Sequence, residues 1–353
     1  MDTLLITQQD LKQIVARVGI HALMDGLLHS LERALQEFDE TQTEVRKREG
    51  FLLEAPQPGV LEWMPVMRKG DSVTLKIVSY APANPRRFGI PTIIANNSLY
   101  DVQTGHLRAL VDGVLATALR TGAASAIASK YLAHPDSRVV GLVGCGAQAV
   151  TQLHALSRVF GIERVLAYDI DPDVQKSLPA RVAFLGLEVL PAPLEVVEAQ
   201  ADILCTATSV EVGAGPVIRG TALKPHVHIN AVGSDLPGKI ELPLAVLERS
   251  LVCPDFLAQA LVEGECQQLS PEKIGPHLVE LAKEPARFQA WRQRGTVFDS
   301  TGFALEDQVV TEVLLQHALA LGLGTVVQLE NINGSALDPY GYVFPRPGLE
   351  VAA

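Results

Sequence analysis

The chain opens with a short apolar run, TLLI. It continues as LKQIVARVGIHALMDGLLHSLERALQEF, where apolar residues recur at helical spacing with charges between them. A short strand followed by helix is predicted over 3–45. From 58 to 110 the period drops to two. GVLEWMPVM, SVTLKIVSY and PTIIANNSLYDVQTGHLRALVDG alternate and are split by Pro and Gly, as in a sheet with hairpins. Within them DVQTG (101–105) reads as a hairpin turn, with Asp and Gly supplying the turn chemistry. Residues 114–133, VLATALRTGAASAIASKYLA, are helical and rich in small side chains, a surface that admits another helix or a ligand closely.

Beyond that point the elements alternate. Strands are expected at RVVGLVG (138–144), RVLAYDI (164–170), ADILCTAT (201–208) and HVHINAVG (226–233), with helices at 149–160 and near 172–181. Alternation of this kind signals a parallel sheet covered by helices. A long helix returns over 302–322, and the tail 330–353 is rich in Pro and Gly. The fold class expected is α/β: a Rossmann-type doubly wound parallel sheet inserted in a second, α+β domain. That domain is discontinuous, 1–125 plus 315–353, and the nucleotide domain spans 126–314.

Length and composition agree with this picture. A chain of 353 residues accommodates two domains, and 48% hydrophobic with 20% charged residues is the profile of a soluble globular protein. The net charge of −11 argues against a nucleic-acid partner, which needs a basic face. No apolar run reaches the roughly 18 residues of a membrane span. The N-terminal MDTLLITQQDLKQ lacks the basic and apolar regions of a signal peptide. Cys145, Cys205, Cys253 and Cys266 are scattered without a CxxC pair, so they read as free thiols in the cytoplasm. His226 and His228 share one face of a strand-like run but have no third ligand nearby, so no metal is expected.

The chemistry begins at Gly144-Cys145-Gly146-Ala147-Gln148-Ala149, a GxGxxA between an apolar strand and a helix. Gly144 permits the tight turn, Gly146 lets the backbone approach a pyrophosphate, and Ala149 keeps the helix close to the strand. The phosphates would sit on the N-terminus of the following helix, at Ala147 and Gln148, where free N–H groups favour negative charge. A second strand ends at Asp169, 23 residues beyond Gly146. A carboxylate there accepts hydrogen bonds from ribose hydroxyls and repels a 2′-phosphate, which favours NAD over NADP. Asp171 is the alternative carboxylate.

Dinucleotide binding does not fix a reaction. Here ALRTGAASAIASKYLA, VGLVGCGAQAVTQLHAL and INAVGSDLPGKIELP resemble the ornithine cyclodeaminase/mu-crystallin family, nearly end to end. GVLEWMP, LKIVSYAPANPRRFGIPTI, EGECQQLS, VFDSTGFALED and ALDPY are similar to its lysine branch. The resemblance implies a homodimeric lyase in which NAD is reduced and reoxidised within each turnover. A basic amino acid would lose ammonia and close to a ring: lysine to pipecolate, or ornithine to proline. An amino-acid dehydrogenase or imine reductase on the same fold is the second expectation. A non-catalytic binding protein is the third, and the joint presence of Lys76, Arg120 and Asp235 argues against it.

By the same resemblance Asp235, in the loop after HVHINAVG, is the acid/base. Lys76, standing among apolar residues in TLKIVSY, is a partner of the substrate carboxylate or a polarising group. Arg120 offers a planar guanidinium to a carboxylate. Arg48, with Arg46 as its neighbour, and Glu62 complete the substrate set. Thr121, Thr206, Thr208, Ser209, Val232, Gly233, Ser234, Ser300, Thr301 and Gly302 are expected along the cofactor. Each has a plainer alternative: a turn Asp, a snorkelling Lys, a helix-end ion pair, loop and cap residues. The chain departs from the family at Cys145, where Thr or Ser is common, and at Ser234, where the ornithine enzymes carry Gly. Its Met64–Lys76 spacing is also one residue longer. The last two features favour the lysine branch.

Overall fold

A computed structural model describes residues 1–56, 58–332 and 336–344; the rest of the Pro/Gly-rich tail lies outside the described residues. In chain order the first part comprises β1 (Thr3–Ile6), α1 (Gln8–Val18), α2 (Ile20–Gln36), β2 (Thr43–Val45), β3 (Glu49–Leu53), β4 (Gly59–Arg68), β5 (Ser72–Tyr80), α3 (Asn84–Phe88), β6 (Ile93–Asp101), β7 (Leu107–Asp112) and α4 (Gly113–Leu132). The middle comprises β8 (Val139–Val143), α5 (Ala147–Val159), β9 (Arg164–Tyr168), α6 (Pro172–Arg181), β10 (Val189–Pro191), α7 (Leu194–Gln200), β11 (Ile203–Thr206) and β12 (His228–Ala231). Then follow α8 (Leu244–Leu247), β13 (Leu251–Pro254), α9 (Leu257–Ala260), α10 (Leu278–Lys283), β14 (Thr296–Asp299), α11 (Ala304–Leu321) and β15 (Thr325–Val327).

The helix expected to reach residue 45 stops at Gln36. Past it the apolar period lapses, Asp39 accepts from the Thr41 N–H at 2.8 Å, and the turn leads into β2. The hairpin turn at 101–105 forms as expected: Asp101 accepts from the backbone N–H of Gln103 and Thr104, and Gly105 takes φ +76. His226 lies in the turn before β12, not in the strand, and approaches Asp202, while His228 bonds Thr296 and Asn230 inside the sheet. Among the described residues no group of three or more metal-binding side chains assembles.

Two sheets result. The first has eight strands in the order β15-β1-β7-β6-β5-β4-β2, with β3 also on β4; it is antiparallel except for β1 on β7. In β5 the residues Ser72, Thr74, Lys76 and Val78 point inward and Ile77 outward, the period of two the sequence carried. The second sheet is wholly parallel, β10-β9-β8-β11-β12-β14-β13. Its order reverses at β8, which opens a crevice at the carboxyl ends of β8 and β11, where ligands bind in such sheets. Strands β10, β13, β14 and β15 escape the sequence reading; each has three or four residues, too few to display a period.

Helices α4 and α11 connect the two sheets, and the division points expected at 125/126 and 314/315 fall inside them. Helix α4 and the first half of α11 are buried nearly all round, which is why neither shows a polar face there. The small residues of α4 have a definite cause. A Cβ on Gly122 would lie 2.4 Å from the Thr151 carbonyl oxygen of α5, so the two helices touch backbone to backbone there. No single described helix is long and apolar enough to cross a membrane.

Candidate active site

The crevice is built by the glycines. Gly144 takes φ +91, and a Cβ there would stand 2.6 Å from the Ala207 carbonyl oxygen. At Gly146 a Cβ would meet open space, and this residue caps α5 with no side-chain acceptor. The first N–H groups of α5, at Ala147 and Gln148, are therefore available to an anion, as a pyrophosphate requires. Asp169 follows β9 and accepts from the Cys145 N–H at 2.7 Å and the Asp171 N–H at 2.9 Å, tying the acidic tip to the glycine loop. Asp171 takes another part: it caps α6 by accepting from Asp173 and Val174. Burial pushes the Cys145 thiol up to about 12, and it lies against the Tyr168 carbonyl.

Glu241, absent from the sequence reading, organises the next two loops. It is fully buried and accepts from the Thr206 hydroxyl (2.6 Å), the Thr208 N–H and hydroxyl (2.7 Å each) and the Gly233 N–H (2.8 Å). Thr206 is thus buried beneath the loop rather than facing a ribose, and Thr208 is held by the same carboxylate. Ser209 is exposed, and the Ser234 hydroxyl donates to the Lys239 carbonyl.

Where these loops meet the first sheet lies a cavity of about 110 Å³. It brings together Arg48, Glu62, Lys76, Arg120, Thr121, Gln148, Val232, Asp235 and Ser300, residues spread over more than 250 positions of the chain. Val60, Met64, Val78 and Ile93 form an apolar wall. The sheet contributes Glu62 and Lys76 from inward positions of β4 and β5, α4 contributes Arg120, and the parallel sheet contributes Asp235 from the loop after β12. Of the neighbouring arginines it is Arg48 that lines the cavity; Arg46 is exposed and paired with Glu44.

The cations are held by carboxylates behind them. Arg120 donates from Nε to Asp307 (3.1 Å) and from Nη1 to Glu306 (2.7 Å). Arg48 lies 3.3 Å from Glu62 through Nη1 and 3.2 Å from Glu263 through Nε. Among the described residues neither guanidinium commits its Nη2 to a partner, and these two atoms converge. A Cβ on Gly302 would stand 2.9 Å from Nη2 of Arg48 and 3.2 Å from Nη2 of Arg120. Two planar donors aimed at one point suit a carboxylate. Asp255 fixes Gly302 in turn, accepting from its N–H at 2.6 Å and from the Thr301 hydroxyl at 2.8 Å.

Lys76 is 1% exposed and donates to Asp307 at 3.1 Å. Burial, reinforced by the Arg120 cation, lowers it to about 8, with Asp307 opposing. Across the cavity the buried Lys239 ammonium donates to Asp235 at 2.7 Å and sits 5.0 Å from the Tyr80 ring centre. Burial opposes its charge, but Asp235 and Tyr80 hold Lys239 above the usual lysine range. Burial lifts both Glu263 and Glu306 to about 8, although Arg48 and Arg120 respectively pull them down. Glu306, Asp307, Glu263 and Lys239 went unseen in the sequence. The one signal was LED, with Gln308 and Thr311, a polar cluster on the buried first half of α11.

The family model for the ornithine cyclodeaminase/mu-crystallin family matches residues 8–321. The chain belongs to that family. Within it, the chain is 42% identical to the L-lysine cyclodeaminase of Streptomyces rapamycinicus over 341 residues, 96% of this chain and 99% of the relative. It is 33% identical to the alanine dehydrogenase of Archaeoglobus fulgidus, over 94% of this chain and 100% of the relative. Among solved structures it superposes on a lysine cyclodeaminase, studied for recognition of L-lysine, L-ornithine and L-2,4-diaminobutyric acid, with TM-score 0.94 and 50% identity, covering 96% of this chain and 99% of that one. The expected family and α/β fold class both stand.

Proposed function

We propose that this chain is an NAD-dependent cyclodeaminase that converts L-lysine to L-pipecolate with release of ammonia, and L-ornithine to L-proline as a second substrate. The observation that carries this reading is the convergence of two guanidinium Nη2 atoms in a small cavity that Lys76 and Asp235 also line. Arg48, Arg120 and Lys76 take the α-carboxylate. The apolar wall of Val60, Met64, Val78 and Ile93 receives the methylene chain and excludes water, which would divert an imine. Asp235 accepts a proton from the substrate amine at a carboxylate oxygen and returns it to the departing ammonia. Glu62 faces the far amine. NAD, when bound, would supply the hydride acceptor and donor that chemistry at Cα needs. The crevice fits that cofactor: the open N-terminus of α5 would receive the pyrophosphate and Asp169 the ribose.

The eight-stranded sheet with its helices, residues 1–125 and 315–353, is read as the substrate-binding and dimerisation unit, and 126–314 as the cofactor unit. A homodimer is supported by the outward face of that sheet, where Phe51, Leu52, Leu61, Ile77 and Ile94 are exposed. The four free, buried thiols fit a cytoplasmic protein.

The similarity to an alanine dehydrogenase favours a second reading, an amino-acid dehydrogenase or imine reductase. One assay separates them: ammonia release with limiting NAD, from L-lysine and from L-ornithine. A cyclodeaminase yields many equivalents of ammonia per NAD without accumulating NADH. Ammonia in strict proportion to NADH would overturn the proposal in favour of the dehydrogenase.

A further inference from the structure

Lys76 has few places to balance its charge. Its register neighbours in the sheet, Met64 on β4 and Asn97 on β6, are uncharged. From α4 it faces Arg120, and from the segment before β3 it faces Arg48, both cations. From α11 it meets Asp307, while the adjacent Glu306 is bonded to Arg120. One oxygen, Oδ1 of Asp307, accepts from both Lys76 Nζ and Arg120 Nε, at 3.1 Å each. Asp307 itself is 1% exposed and does not line the cavity.

We propose that Asp307 is a positioning residue of the reaction: its shared oxygen holds the Lys76 ammonium and the Arg120 guanidinium in one arrangement and sets the pH at which Lys76 gives up its charge. The proposal rests on the cyclodeaminase reading above. Burial and the Arg120 cation both drive Lys76 toward its neutral form, and Asp307 is the anion in contact that resists them. The sign follows. Without the Asp307 charge Lys76 deprotonates at lower pH, and the carboxylate clamp loses one of its three cations there.

The test is the pH profile of kcat/KM for ammonia release from L-lysine by the NAD-loaded enzyme. The native protein is expected to lose kcat/KM on a basic limb as Lys76, which burial lowers to about 8, gives up its charge. In Asp307→Asn that limb moves toward acid by about one to three pH units, the usual effect of an opposite charge in contact. The loss of activity is therefore steeper above the limb than below it. A uniform loss at every pH with the limb unmoved reduces Asp307 to a packing residue and overturns the proposal. If Asp307→Asn does not accumulate as folded protein, Asp307→Glu carries the test. Its longer arm displaces the charge, so a displaced limb supports the proposal and an unmoved one overturns it. Failure of the underlying reading looks different: the native enzyme then releases no ammonia from either diamino acid at any pH, which overturns both.

Discussion

Two arginines brought side by side in a buried site repel each other, and the molecule tolerates them because Glu62, Glu263, Glu306 and Asp307 stand behind. Gly302 sits where the two meet, at φ +102. A methyl group there would adopt a strained backbone and press on both Nη2 atoms, which their carboxylate partners prevent from swinging away. Gly302→Ala is therefore expected to raise KM for the amino acid about tenfold or more, which is 1.4 kcal/mol. NAD affinity, measured by fluorescence titration, should change much less; an unaltered KM would remove Gly302 from the clamp. At this scale the sequence was informative where residue type and motif coincide. Lys76, Arg120 and Asp235 meet in one cavity as expected. The carboxylates behind them stayed hidden because Asp307 lies 231 positions from Lys76, and only folding brings the two together.

Among the elements, the long periodic segments were legible: α4, α5, α11 and the alternating β4 to β6 lie within a few residues of their expected bounds. Short strands of a buried parallel sheet, such as β13 and β14, were not, since four inward residues carry no alternation. The loops after β11 and β12 were legible as places but not as a unit, because Glu241 is what joins them. A Cβ on Gly233 would stand 2.4 Å from the Glu241 carboxylate, so that glycine answers to Glu241. Glu241→Gln puts an amide donor against two of the four donors, since two bond each carboxylate oxygen. A lost hydrogen bond to a charged group costs about 1.5–3 kcal/mol. The expected outcome is an NAD dissociation constant weaker by an order of magnitude or more, read by calorimetry, together with a lower melting temperature. A normal dissociation constant would mean that the two loops keep their shape without the carboxylate.

On the scale of the whole molecule, one sheet faces two ways. Its inner face carries Lys76, Glu62 and the helix core. Its outer face carries Ile77, Leu61, Ile94 and Trp63, with Trp63 packed edge-on to Phe51 at 5.6 Å. Trp63 and Ile77 are directly opposite in register, and Leu61 and Ile94 flank Ser79 in the next row, so apolar side chains from three strands gather on this face. An exposed apolar face of this kind is where a second copy would bind in the homodimer proposed above. Because successive residues of a strand point to opposite faces, the site and the apolar face share the same strands, and Ile77 is the immediate neighbour of Lys76. A second copy on the outer face would thus stiffen the floor of the catalytic cavity. Ile77→Glu places a charge in the middle of that face while leaving the inward side chains untouched. The protein should then run as a monomer in light scattering, and its KM for lysine should rise as the sheet loosens. A variant that remains dimeric would locate the interface elsewhere, and a monomer with unchanged KM would separate assembly from catalysis.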